Sequence, residues 1–316
     1  MRLICLLFLL QKVNDKDMRP NWTGVYPAIT TKFKANGELD IPAFLKNIDF
    51  QIESGVSGII IGGSLGESST LSAAEKIKLV ELLQPYREKI PVVMNIAESS
   101  TDRAIEAAKT AQATGADGLM LLPPLLYKAD ADETVAYFKE VAQSTSLPIL
   151  LYNNPIDYKI EITLSMFNSL KDVSNIEAVK ESTRDVTNVI RMRNAFGDRF
   201  KIMGGVDTLC LETLMLGADG LVAGLVCAFP KETVVLFELA KARKYDEAVE
   251  LYKWFMPLLE MDIHPKLVQY IKLAEVYTGI GTEYVRPPRK QIEGDERIRI
   301  VNTLETALRT RPAFEY

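Results

Sequence analysis

A single histidine, His264, serves the whole chain, which excludes a histidine-dependent triad or a multi-histidine metal centre for want of partners. Cysteine is almost as scarce. Cys5, Cys210 and Cys227 are odd in number and far apart in apolar runs; no disulfide framework or cysteine metal cluster can be built from them, and a reducing cytoplasm is the expected setting. Positive charge is not in excess: 37 Lys and Arg against 42 Asp and Glu leave a formal charge of -5, the wrong sign for a nucleic-acid-binding surface. Long apolar runs are missing too. The nearest approach, Leu3 to Leu10 after Arg2, is too short to span a bilayer and has no small-residue cleavage site behind it. Residues 1–17 therefore read as a disordered or loosely packed extension, with Met18 as an alternative start.

What is present is the composition of a globular protein with a sizeable core: 316 residues, 47% hydrophobic and 25% charged. Apolar, β-branched runs recur near 24–30, 57–62, 91–96, 118–122, 148–152, 176–180, 201–204 and 220–224, each followed by a helical pattern. Start signals such as Ser72-Ala-Ala-Glu75 support those helices. Eight β and α units with continuously apolar strands predict a parallel sheet buried on both faces, and at this length a (β/α)8 TIM barrel fits better than an open doubly wound sheet. Thr114-Gly-Ala-Asp-Gly-Leu119 and Leu216-Gly-Ala-Asp-Gly-Leu221 repeat a helix-ending glycine before a strand. Past residue 235 the strand signals stop. Helices are expected over 240–259, 266–277 and 293–307, parted by Pro257, Pro265 and Pro287-Pro288. The division expected is a barrel over 18–235 and a C-terminal helical extension over 236–316 whose work is packing or oligomer contacts.

Barrel active sites lie at the C-terminal ends of the strands, so the strand ends are where chemistry is sought. Lys180 ends the sixth apolar run, in Asn175-Ile-Glu-Ala-Val-Lys-Glu-Ser182. A lysine in that dry position has a depressed pKa, and its neutral amine is a nucleophile for a ketone carbon. Tyr152 ends the neighbouring fifth run; its phenol suits proton transfer. After the second run comes Gly62-Gly-Ser-Leu-Gly-Glu-Ser-Ser69, where backbone N–H groups from Gly63 onward and the Ser64 hydroxyl can hold a carboxylate. It has neither the lysine of a P-loop nor the GxGxxG spacing.

The set Gly63-Ser-Leu-Gly-Glu-Ser68, Tyr152-Asn-Asn-Pro155, Val179-Lys-Glu-Ser182 and Gly204-Gly-Val-Asp207 resembles the dihydrodipicolinate synthase / N-acetylneuraminate lyase family from about Trp22 to beyond residue 300. The resemblance implies a homotetrameric barrel enzyme in which Lys180 forms a Schiff base with a 2-keto acid. Tyr152 would relay protons, Ser64 would hold the carboxylate and join the relay, and Gly205 would line the pocket. No metal or organic cofactor is implied, because the lysine supplies the electron sink. Three positions depart from the synthases of the family. Leu65 replaces a hydroxyl, Leu126 replaces a tyrosine that reaches a neighbouring subunit, and Asp157 replaces the arginine that holds a second substrate's carboxylate. An acid in place of that clamp repels such a substrate.

Within the family, Ser64-Leu-Gly-Glu-Ser68, Tyr152-Asn-Asn-Pro-Ile-Asp-Tyr158 and Val285-Arg-Pro-Pro-Arg289 are most similar to members that deaminate 1-pyrroline-4-hydroxy-2-carboxylate in hydroxyproline breakdown. That reaction is the expectation, with Gly63, Leu65, Gly205, Asp157 and Tyr158 as substrate-binding residues, Asp157 facing the nascent amine, and Tyr158 and Tyr127 the weaker candidates for the distal pocket. The alternatives are a 2-keto-3-deoxy sugar acid aldolase or dehydratase, a dihydrodipicolinate synthase, and a paralogue that binds a keto acid without turning it over. The expected partner is a small molecule, with no nucleic acid and no membrane.

Overall fold

The computed structural model describes residues 19–313; the expectations for residues 1–17, Met18 and Cys5 fall outside them. Eight strands run parallel: β1 (Gly24–Pro27), β2 (Ile59–Ile61), β3 (Val92–Ile96), β4 (Gly118–Leu121), β5 (Ile149–Asn153), β6 (Ile176–Glu181), β7 (Lys201–Gly204) and β8 (Gly220–Ala223). Their order in the sheet is β1-β8-β7-β6-β5-β4-β3-β2. A parallel bridge from Ala28 to Ile60, with the Ile29 N–H donating to the Ile60 carbonyl at 2.8 Å, brings the two ends together. The fold is a (β/α)8 TIM barrel, as the eight-unit pattern predicts.

The continuous apolar strands split into two layers because side chains alternate across a strand. Tyr26, Ile60, Val93, Met120, Leu150, Ala178, Met203 and Val222 form an inner cluster that fills the barrel. Val25, Ile59, Val92, Leu119, Leu151 and Val179 belong to the outer core, under the helices. Those helices are α1 (Ile41–Glu53), α2 (Ala73–Leu82), α3 (Thr101–Thr114), α4 (Ala131–Gln143), α5 (Pro155–Tyr158), α6 (Leu164–Leu170), α7 (Thr187–Phe196) and α8 (Cys210–Met215). Capping boxes at Ser72/Glu75 and Asp130/Glu133 start α2 and α4, and the paired glycines of the internal repeat, Gly115 and Gly217, take φ +95° and +99° where helix turns into strand.

Four further helices follow: α9 (Pro230–Lys241), α10 (Tyr245–Leu259), α11 (Leu267–Tyr277) and α12 (Gly294–Arg309). Two expectations are corrected there. The helix expected over 240–259 is broken, because Arg243 turns left-handed at φ +59° and α9 ends before it. Pro257, expected in a turn, lies inside α10, near enough to its end that few backbone bonds are lost.

The pairing of β1 with β8 depends on bare backbone. A Cβ on Gly220 would stand 2.2 Å from the Gly24 carbonyl oxygen, which β1 cannot relieve without leaving its pairing. Gly220→Ala is expected to destabilise the fold by about 1–3 kcal/mol or more, read as a lower urea midpoint.

Candidate active site

Along β6 the two-residue period puts Ala178 inside the barrel and Val179 outside, so Lys180 points inward at the open end. Across the β5–β6 ladder it is registered with Tyr152, and its Nζ lies 4.2 Å from the centre of the Tyr152 ring. Lys180 and Tyr152 are 7% and 8% exposed. Room for the lysine comes from Gly205: a Cβ there would stand 2.7 and 2.8 Å from Lys180 Cγ and Cε. Burial pushes the amine below its ordinary value, while the carboxyls of Asp262, Asp207 and Asp157 and the Tyr158 phenol pull the other way. Desolvation wins, which favours the neutral amine.

Tyr152 is held by a residue that the motif reading left unassigned. Asn154 Nδ2 donates to the Tyr152 hydroxyl at 3.1 Å and to Asp157 Oδ2 at 2.8 Å, so the phenol oxygen accepts from Asn154 and its own proton is directed elsewhere. Burial raises the Tyr152 pKa. Asn154 also caps α5, accepting from the Asp157 N–H at 3.2 Å, with Pro155 in the first turn. That short helix turns Tyr158 back over the mouth. Its ring meets Tyr152 edge to face at 5.4 Å, and its hydroxyl is hydrogen-bonded to Ser64 Oγ. Burial raises the Tyr158 pKa as well.

Ser64 belongs to the glycine-rich loop after β2, which is shaped by Gly66, where a Cβ would stand 2.9 Å from the Ile29 carbonyl oxygen. The N–H groups of Ser64 and Leu65 donate to no protein acceptor among the described residues, so they are free to receive an anionic oxygen. Glu67, fully buried at φ +57°, anchors the loop. It accepts from Lys272 Nζ of α11 at 2.5 Å and from the Arg286 N–H at 3.0 Å. Burial lowers the Lys272 pKa to about 8 against the opposing pull of Glu67.

Gly63, Ser64, Leu65, Tyr152, Asp157, Tyr158, Lys180 and Gly205 line one cavity of about 100 Å³. The structure therefore brings together every residue singled out for the pocket except Tyr127. Tyr127 is 60% exposed and donates to the Glu133 carboxylate at 3.0 Å, outside the cavity. Its neighbour Leu126 is also exposed, at φ +68°. Asn154, Ser182, Arg184 and Asp262 line the cavity without having been singled out. Asp262 and Ile263 come from the segment between α10 and α11, and Leu267 from the first turn of α11. The expectation that the C-terminal helices only pack or make oligomer contacts is thus corrected, since they form one wall of the cavity. Strand ends are readable from local pattern, whereas a wall from a distant segment is not.

His264 stacks on Tyr270 at 4.5 Å, away from this cavity. Among the described residues no cluster of three or more His, Cys, Asp or Glu is arranged to hold a metal ion, and no helix is long and apolar enough to cross a membrane.

A (β/α)8 barrel with a buried lysine at the end of its sixth strand, a tyrosine beside it and a glycine-rich loop after the second defines a class of barrel enzyme. The Dihydrodipicolinate synthetase family model matches residues 21–307, and the chain belongs to that family. Among its relatives, the 4-hydroxy-tetrahydrodipicolinate synthase of Methanococcus maripaludis strain C5 is 31% identical over 285 residues, covering 90% of this chain and 98% of that protein. The enzyme of the same name from Methanothrix thermoacetophila is 34% identical over 237 residues, covering 75% and 80%. Among solved structures, dihydrodipicolinate synthase from Aquifex aeolicus superposes with a TM-score of 0.86 at 26% identity, covering 90% and 97%. A family member from E. coli K12 in complex with pyruvate gives 0.85 at 27%, covering 90% and 98%. The protein is an enzyme of this lyase family.

The Glu67–Lys272 pair, with both side chains fully buried, ties the glycine-rich loop after β2 to α11. Lys272→Met leaves the buried carboxylate with only the longer pair to Arg289 at 3.8 Å and is expected to cost about 3–5 kcal/mol, measured by urea unfolding. The double change Glu67→Gln with Lys272→Met should recover part of that loss.

Proposed function

We propose that the protein is a Schiff-base lyase that deaminates 1-pyrroline-4-hydroxy-2-carboxylate to 2-oxoglutarate semialdehyde and ammonia, without metal or organic cofactor. The observation that carries the reading is the Lys180–Tyr152 pair, with the amine 4.2 Å from the phenol ring, in a cavity where the carboxyls acting on Lys180 are those of Asp262, Asp207 and Asp157. The substrate carboxylate is received by the Ser64 and Leu65 N–H groups. The neutral Lys180 amine adds to the ring C=N at C2, the ring nitrogen leaves C2 as a free amine on C5, and the Schiff base makes C3–H acidic. Tyr152, Ser64 and Tyr158 move protons. The 4-hydroxyl departs as water and leaves C3=C4; loss of a proton from C5 and return of protons to C3 and C4 turn the C5 amine into an imine, and hydrolysis at C5 and C2 then releases ammonia, product and lysine, with one water consumed overall. Asp157 faces the amine. The homotetramer implied by the family resemblance is part of this proposal.

A second reading, 4-hydroxy-tetrahydrodipicolinate synthase, is favoured by the names of the curated relatives and by Arg184, an exposed guanidinium on the cavity rim. It is opposed by Asp157 where a second carboxylate would have to bind.

Incubation with the pyrroline should release ammonia, and Lys180→Ala should lower the rate by at least about 10³-fold. No release, with condensation of pyruvate and aspartate semialdehyde instead, sinks the deaminase in favour of the synthase. A protein that traps neither pyruvate nor the pyrroline on Lys180 under borohydride is a binder. Tyr152→Phe should slow turnover by about 10²–10⁴-fold. Because desolvation lowers the Lys180 pKa, the rate of borohydride trapping with pyruvate should rise with pH and level off below 10.5, the ordinary lysine value; a midpoint at the ordinary value contradicts the dry amine.

A further inference from the structure

Asp262 is a carboxyl that the relay just described leaves unused. It arrives from the end of α10 and lines the cavity. Its Oδ1 stands 1.9 Å from where a Cβ on Gly224 would be, so the carboxyl occupies space that only a glycine after β8 leaves open. The two carboxyls of Asp262 and Asp207 act on each other in a buried space, and burial raises both above the ordinary carboxylate value, so the pair holds on to a proton. Which member holds it is decided by the backbone. Asp207 accepts from the Gly224 N–H at 3.0 Å and the Leu225 N–H at 2.8 Å, and N–H donors favour an ionised carboxylate. Asp262 receives no such donors among the described residues, and burial together with Asp207 raises its pKa well above the ordinary value. Asp262 is therefore the protonated member. The titratable groups acting on it are Asp207, Lys180 and Asp157.

Loss of the 4-hydroxyl needs an acid, because hydroxide is a poor leaving group, and Tyr152, Ser64 and Tyr158 are engaged at the C3 proton. We propose that Asp262 is the catalytic acid that protonates the 4-hydroxyl as it leaves the Lys180-bound substrate. The inference rests on the deaminase reading. In the step, the Schiff-base cation first loses its C3 proton to the tyrosine relay and becomes a neutral enamine. The enamine nitrogen pair then re-forms C2=N, the C2=C3 pair moves to C3=C4, and the C4–O bond breaks with its electrons on oxygen. That oxygen takes the Asp262 proton and departs as water. Positive charge reappears on the Lys180 nitrogen as negative charge appears on Asp262, so the two form close together in a low-dielectric site. The relay later returns the C3 proton, and Asp262 is restored.

The test uses the full-length protein with Asp262→Asn and Asp262→Glu. Asp262→Asn keeps the shape and a donor toward Asp207 but has no acidic proton. Borohydride trapping of pyruvate on Lys180 should stay within about threefold of wild type, while ammonia release from the pyrroline falls by about 10²–10⁴-fold. Trapping with the pyrroline should then capture an adduct heavier by one water than the wild-type adduct. Asp262→Glu, which keeps a carboxyl, should recover part of the rate. Ammonia release by Asp262→Asn at the wild-type rate, or equal losses in both variants, overturns the acid role. Loss of pyruvate trapping by Asp262→Asn also overturns it, by showing that Asp262 only positions Lys180. No ammonia from the wild type, with pyruvate trapping intact, overturns the deaminase reading and this role together.

Discussion

Lys180 holds its amine against the face of the Tyr152 ring and its stem along Gly205, and the dry space that this contact needs constrains everything around it. A charged amine loses much of its hydration when it enters such a space, so the neutral form gains. Keeping water out requires apolar and aromatic neighbours on every side. Leu65 is 4% exposed in the loop after β2, Met120 closes the floor from the inner layer, and Tyr158 covers Tyr152 edge to face. The absent Cβ at Gly205 belongs to the same constraint, because any larger residue would collide with the lysine itself.

A mouth assembled from so many loops has to be registered, and buried ion pairs perform that task. Glu67 and Lys272 join the loop after β2 to α11. Lys32 and Glu275, 2.8 Å apart and both fully buried, join the segment after β1 to the same helix, with Thr30 donating to Glu275 at 2.8 Å. Buried pairs of this kind add little net stability over apolar packing but penalise any arrangement that separates them. Their effect is to lock α11, and the segment leading into it, against the open end of the barrel. Asp262 reaches the cavity because that segment is held there.

What was legible in the sequence follows the range of the interactions. Lys180, Tyr152 and Ser64 end strands or begin the loops after them, and strand-to-loop transitions are written in local apolar pattern and glycine placement. Eight such units define a barrel almost by counting. Asn154 was within reach as well: an asparagine before a proline reads as a helix cap through its side-chain oxygen, which leaves two amide hydrogens, and these go to Tyr152 and Asp157. Asp262 was not readable. It lies between two helices in a stretch with no motif of its own, and its place beside Asp207 depends on ion pairs between residues more than 200 positions apart in the chain. The break at Arg243 was hidden for another reason: a left-handed residue that is neither glycine nor asparagine leaves no signal in propensity.

The acids around Lys180 also bear on which reaction the site favours. Asp157, Asp207 and Asp262 all act on Lys180, yet their surroundings differ. Asp207 is tied by two backbone N–H groups, Asp157 by the Asn154 amide and its own helix cap, and Asp262 by Asp207. Carboxyls with unequal environments separate into acid and base roles. A substrate whose far end carries a carboxylate meets repulsion from Asp157 and gains nothing from a protonated Asp262. One whose far end carries a hydroxyl and a nascent amine finds a proton donor for the first and a negative partner for the second. Arg184, an exposed residue on the cavity lining, is the one guanidinium among the described residues there and the feature that favours the synthase reading.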